Sequence, residues 1–98
     1  MMGGFGMSLK SKGINAERAL VHMFWGKGWA CLRIAGSGSN KYPSPDILTG
    51  NNIRRLAIEC KITKDNQKYF DKPHIEALQT FASVFGAEPW VAVKFKGY

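Results

Sequence analysis

The stretch Leu56-Ala57-Ile58-Glu59-Cys60-Lys61-Ile62 repeats apolar residues at every second position, the pattern of a strand whose successive side chains leave opposite faces. Leu56, Ile58, Cys60 and Ile62 fall on one face, and Glu59 and Lys61 stand together on the other. Pro45-Asp46 begins the segment before it, and a hairpin between the two brings the Asp46 carboxylate beside Glu59. Two carboxylates at close range disfavour one another unless a cation sits between them, so the pair asks for a hard divalent ion with oxygen ligands, Mg²⁺ or Mn²⁺. The backbone carbonyl of Cys60 is a further candidate ligand, and Glu17, on a helix nearer the amino end, is within reach of the same cluster. Such a site suits phosphodiester hydrolysis: the ion activates a water and neutralises charge developing on the phosphate, while Lys61 holds the nucleophile or stabilises the transition state. Taken alone, Glu-x-Lys is more often the pattern of a half-buried strand with a solvated face, and the spacing to Asp46 is what changes that.

The elements that must carry these groups read as follows. Residues 1–10, with three glycines in the first six positions, are expected to be a flexible arm, and residues 11–98 a single domain. Ile14, Leu20, Met23 and Phe24 lie near helical spacing over residues 12–27, with Gly26 and Gly28 at the end. Trp29–Ala35 reads as a strand, followed by a Gly-Ser loop, residues 36–41, predicted to be mobile. Pro43 and Pro45 stiffen the entry to a second strand at residues 46–49, and Gly50-Asn51-Asn52 turns it into a third at 53–62. Residues 64–68 are polar. Ile75, Leu78, Ala82 and Phe85 mark a helix entered at Pro73 and stopped by Gly86. Trp90–Phe95 is the fourth strand, and the helix before it makes it parallel to the third. This is an α/β chain: a small mixed sheet flanked by helices.

With 98 residues, 45% of them hydrophobic, the chain builds one core, not several domains or a disordered polypeptide. Fourteen Lys and Arg against seven Asp and Glu give a formal charge of +7, which points to a polyanionic partner and away from acidic substrates and neutral sugars. No apolar run is long enough to span a bilayer and none resembles a signal peptide, so an intracellular, cytoplasmic protein is expected, with no membrane partner. Cys31 and Cys60 lack partners at zinc-ligand spacing and read as reduced core residues, a disulfide being the lesser alternative. His22 and His74 are assigned to packing or capping, and Trp25, Trp29 and Trp90 to core or interface.

Pro45-Asp46, twelve intervening residues, then Glu59-Cys60-Lys61 resembles the PD-(D/E)xK nuclease superfamily. The likeness extends to the archaeal Holliday junction resolvases through Lys12-Gly13, Glu17-Arg18, Arg33 before the Gly-Ser loop, Lys61-Ile62-Thr63-Lys64, Phe81 and Phe85 ahead of Gly86, and Val91-Ala92-Val93-Lys94-Phe95. It covers roughly residues 12–95. The resemblance implies a restriction-endonuclease-like nuclease fold and a homodimer that binds four-way junction DNA. Such a dimer introduces paired nicks in opposed strands with Mg²⁺ or Mn²⁺, in homologous recombination and DNA repair, which would make it nucleoid-associated. No organic cofactor is implied. Carried over, it assigns metal binding and catalysis to Glu17, Asp46, Glu59 and Lys61, DNA contacts to Lys12, Arg18, Arg33 and Lys64, and a functional serine to Ser37. A flexible linker is an equally good reading of the loop that carries Ser37, and ordinary solvated surface charge is the lesser alternative for Arg18 and Arg33.

Phe81 and Phe85, an i, i+4 pair, fit either a broad core face or a self-associating surface, and the resemblance favours the latter, a two-fold dimer. Family members continue past this point with another strand, whereas this sequence stops at Tyr98; either a shorter edge closes the fold or the polypeptide is truncated. Two alternative functions stay open: another nuclease of the superfamily, of restriction or nicking type, and a basic, non-catalytic DNA-binding module.

Overall fold

The structure, a computed structural model, describes residues 9–63 and 71–95, the first four of them by backbone alone. Helix α1 (Leu9–Gly26) leads to strand β1 (Ala30–Arg33), then β2 (Ile47–Gly50), β3 (Arg55–Thr63), helix α2 (Lys72–Phe85) and β4 (Glu88–Phe95). The sheet order is β1-β2-β3-β4. β1–β2 and β2–β3 are antiparallel and β3–β4 is parallel, so the expected mixed α/β sheet is present.

Alternation along β3 gives the sheet two apolar faces, and each takes a helix. Leu56 and Ile58 are buried with Cys31 and Ile47 against Leu20, Val21 and Phe24 of α1, with Trp29 at the margin. Ala57 faces the other way and is buried with Leu78 and Ala82 of α2. The Glu59 side of β3 is therefore not a solvated face: α2 covers it at Ala57 and leaves it open farther along, where Glu59 and Lys61 stand.

Several boundaries shift. α1 begins at Leu9, so residues 9 and 10 are helical and not part of an arm; residues 1–8 lie outside the described residues, as do 64–70. β4 begins at Glu88 and runs through Pro89. A proline cannot donate to a ladder, but on the last strand of the sheet it has one unpaired side to spend. α2 stops at Gly86, whose φ of 91° is the left-handed cap that glycine adopts without strain, with its N–H on the Ala82 carbonyl. The β2–β3 turn rests on Asn51, whose Oδ1 accepts from the Ile53 and Arg54 N–H groups at 3.0 and 2.8 Å, and Asn52 takes φ 79°.

Both cysteines are free and belong to the α1-side core. Of the tryptophans, assigned to core or interface, Trp29 packs against Phe24 with centroids 5.6 Å apart. Trp25 is exposed, its indole N–H donating to the Cys31 carbonyl at 2.9 Å, and Trp90 is exposed on β4. His22 is also exposed, so packing is not its role. Among the described residues no helix is long and apolar enough to cross a membrane.

Candidate active site

Asp46 is placed by what surrounds it. Pro45 and Ile47, on either side, have fully buried side chains, so the backbone between them has little freedom. The ladder pairs Ile47 with Ile58, and the Asp46 N–H bonds that same Ile58 carbonyl at 3.0 Å instead of advancing to Glu59. The chain thus leaves the register at Asp46, and its carboxylate takes over the ladder position: Oδ2 accepts from the Cys60 N–H at 2.8 Å. Ser37 donates its hydroxyl to Oδ1. Since N–H and C=O groups two residues apart leave the same edge of a strand, the Cys60 carbonyl also faces the side of β3 where Asp46 stands.

Glu17 arrives from the other layer. It lies at i−3, i−4 and i−7 from Leu20, Val21 and Phe24, the partly buried stripe of α1 that packs on the core, so the packing that seats the helix carries Glu17 to the end of the sheet. The Arg33 guanidinium, at the end of β1, donates to Glu17 Oε1 at 3.0 Å. Glu59 faces Lys61 along β3, with Nζ 3.7 Å from Oε2.

Glu17, Ser37, Asp46, Glu59, Cys60 and Lys61 line one pocket of about 560 Å³. Every catalytic candidate from the sequence is in it. Burial, and then the Asp46 charge, raise the Glu59 carboxyl above its ordinary range, with Lys61 and His74 opposing. Burial and Asp46 likewise raise Glu17, against Arg33. The Cys60 thiol is pushed up to about 12, by burial first and then by Asp46, Glu17 and Glu59. Three carboxylates, Glu17, Asp46 and Glu59, thus gather in one pocket beside Lys41 and Lys61, in a chain whose total charge is strongly positive.

As they stand, the side chains face their own partners, and among the described residues no three His, Cys, Asp or Glu groups form a ready metal centre. The donor set nevertheless fits a hard divalent cation: carboxylate and carbonyl oxygens, with acidic groups that hold one another's protons on.

The Gly-Ser loop is not the unanchored segment its composition suggests. Ser37–Ser39 forms a turn of 3-10 helix, and the Ser37 hydroxyl ties it to Asp46. Sequence reasoning also missed His74, Lys41 and Tyr42, which line the same pocket. His74 enters on the first turn of α2, with Nδ1 3.6 Å from Asp71 Oδ2, so its place is in the site and not in a core. Its only signal was its position one residue after Pro73. Of the expected DNA contacts, Arg18 is exposed on α1 and Arg33 is held by Glu17. The Lys12 side chain and all of Lys64 lie outside the described residues. Phe81 packs against the α2-side core and Phe85 is exposed; their rings stack with centroids 5.4 Å apart.

A mixed sheet between two helices, with an Asp at the head of one strand and Glu-x-Lys on its neighbour opening into a single pocket, defines an α/β nuclease-like fold. The family model for the archaeal Holliday junction resolvase (Hjc) matches residues 8–98, and the chain belongs to that family. It is 46% identical over 86 residues to the crossover junction endodeoxyribonuclease Hjc of Archaeoglobus fulgidus, covering 88% of this chain and 63% of that protein. The crossover junction endodeoxyribonuclease Hje of Saccharolobus solfataricus is 38% identical over 86 residues, covering 86% and 64%. The 1.6 Å resolution structure of Archaeoglobus fulgidus Hjc, a Holliday junction resolvase from an archaeal hyperthermophile, superposes with a TM-score of 0.81 at 43% identity, over 86% of this chain and 68% of that one. The chain thus spans a little under two thirds of the length of the curated relatives it matches.

Proposed function

We propose that this chain is a metal-dependent endodeoxyribonuclease that resolves four-way DNA junctions. The observation that carries the reading is the convergence of Asp46 with Glu59, Cys60 and Lys61 in one pocket, in a chain of the resolvase family. Three carboxylates repel a phosphodiester, and that repulsion becomes useful only with a cation between them. Asp46, Glu59 and the Cys60 carbonyl would hold Mg²⁺, or Mn²⁺ in its stead, with Glu17 as the remaining carboxylate of the pocket. Bound there, the ion supplies charge neutralisation at the scissile phosphate and a more acidic water.

The chain's own groups do the rest. Lys61, 35% exposed at its side chain, is open to the phosphate and offers an ammonium to a developing negative oxygen. Ser37 and the Cys60 N–H keep Asp46 in one orientation, so little reorganisation is needed at reaction. Arg33 is shared between Glu17 and a neighbouring phosphate, and Arg18 contacts the backbone farther along α1. Such contacts read shape and charge more than base sequence.

Cutting two opposed strands needs two pockets. The stacked Phe81–Phe85 pair and the 86% exposed Val84 beside it form an apolar ridge on α2, and we assign the homodimer contact to it. The test is cleavage of labelled four-way junction, linear duplex and flap DNA side by side with Mg²⁺. Paired nicks in the junction and little cutting of the others are expected. Preferred cutting of duplex or flap would make the chain a different nuclease, and binding without cutting would make it a non-catalytic module.

A further inference from the structure

The pocket of about 560 Å³ that holds Asp46, Glu59 and Lys61 is also lined by groups with no part in the cation site. Asn40, Lys41, Tyr42 and Pro43 line it from the segment between the 3-10 turn and β2. Tyr42 is 73% exposed, although it lies in the same pocket as Asp46 and Glu59. The Lys41 ammonium stands 5.7 Å from its ring centroid, which places a cation at the ring and leaves the rest of the side chain to solvent. The segment is stiff: Pro43 and Pro45 restrict the backbone, and the fully buried Pro45 anchors its end.

An exposed aromatic ring with a cation beside it, on a stiff segment next to a phosphate site, has the makings of a base-stacking platform. In an intact duplex the bases are stacked inward, away from a protein group that lies beside the phosphates. A ring at this place meets a base only where stacking is interrupted, as at a branch point. We propose that Tyr42 is a stacking platform for an unstacked base next to the cleaved phosphate, with Lys41 on the adjoining phosphate, and that it contributes to the choice of branched over linear DNA. This rests on the junction-cleaving reading above and adds a contact to a base.

The test uses the whole chain with a four-way junction carrying 2-aminopurine at the branch nucleotides, in EDTA so that no strand is cut, beside a duplex of matched length. The native chain and Tyr42→Phe are expected to bind the junction more tightly than the duplex and to change the 2-aminopurine emission. Tyr42→Ala is expected to lose the emission change and about tenfold in junction affinity, the scale of one stacked base, with duplex affinity and thermal melting unchanged. If Tyr42→Ala keeps the native emission change and junction affinity, the proposal is wrong while the junction reading stands. If the native chain itself shows no preference for the junction, both fall.

Discussion

Asp46 and Glu59 show how much of a site can be set by residues that do no chemistry. Asp46 owes its orientation to two buried neighbours and to two donors, the Cys60 N–H and Ser37. Glu59 owes its discomfort to burial and to Asp46. A carboxyl whose pKa is raised on folding stabilises the folded state fully below its unfolded pKa, and that contribution is lost as pH rises through the folded value. Glu17 and Glu59 are both raised from an ordinary 4.5, so each costs the metal-free protein stability at neutral pH and not at pH 4. Replacing Glu59→Gln should therefore raise the melting temperature at pH 7.5, and by less at pH 4. The same substitution should abolish cutting. Calorimetry of native and variant protein at the two pH values checks this, and a variant less stable at pH 7.5 would contradict the electrostatic reading.

At the scale of elements, α2 has two tasks. Its Leu78 and Ala82 close the core over Ala57, and its Val84 and Phe85 point outward. If the proposed homodimer forms through this ridge, Phe81→Ala should weaken self-association and junction cutting together; sedimentation of the variant as an intact dimer would remove the ridge as the contact. Phe81 also packs on the core, so a loss of about 3 kcal/mol of stability is expected alongside.

These elements were largely legible in the sequence. Alternation of apolar residues located β3 and helical spacing located α2, because both follow directly from which side must be buried. Ends were less legible: the fourth strand is expected from Trp90, yet it begins at Glu88 and takes in Pro89, which the sheet's last strand tolerates. Trp25 and Trp90 read as core or interface by type, and both are exposed, Trp25 at the end of α1 and Trp90 on β4. At the site, Glu59 and Lys61 followed from period two, whereas the departure from register at Asp46, the Ser37 tie and the entry of His74 depend on contacts between distant segments that local spacing does not encode.

Over the whole molecule, the formal charge of +7 suits the proposed DNA partner, while the pocket gathers three carboxylates beside Lys41 and Lys61. The two are reconciled if basic groups around the pocket hold the backbone and a divalent cation mediates at its centre. On the proposed reading, Asp46 is the residue at which binding and cutting separate. The most direct measurement compares the native chain with Asp46→Asn on a labelled four-way junction, following binding and strand cutting with and without Mg²⁺. The account predicts Mg²⁺-dependent paired nicks by the native chain, and a variant that binds the junction as tightly but does not cut it. Unaltered cutting by Asp46→Asn, or native cutting that proceeds equally in EDTA, would contradict it.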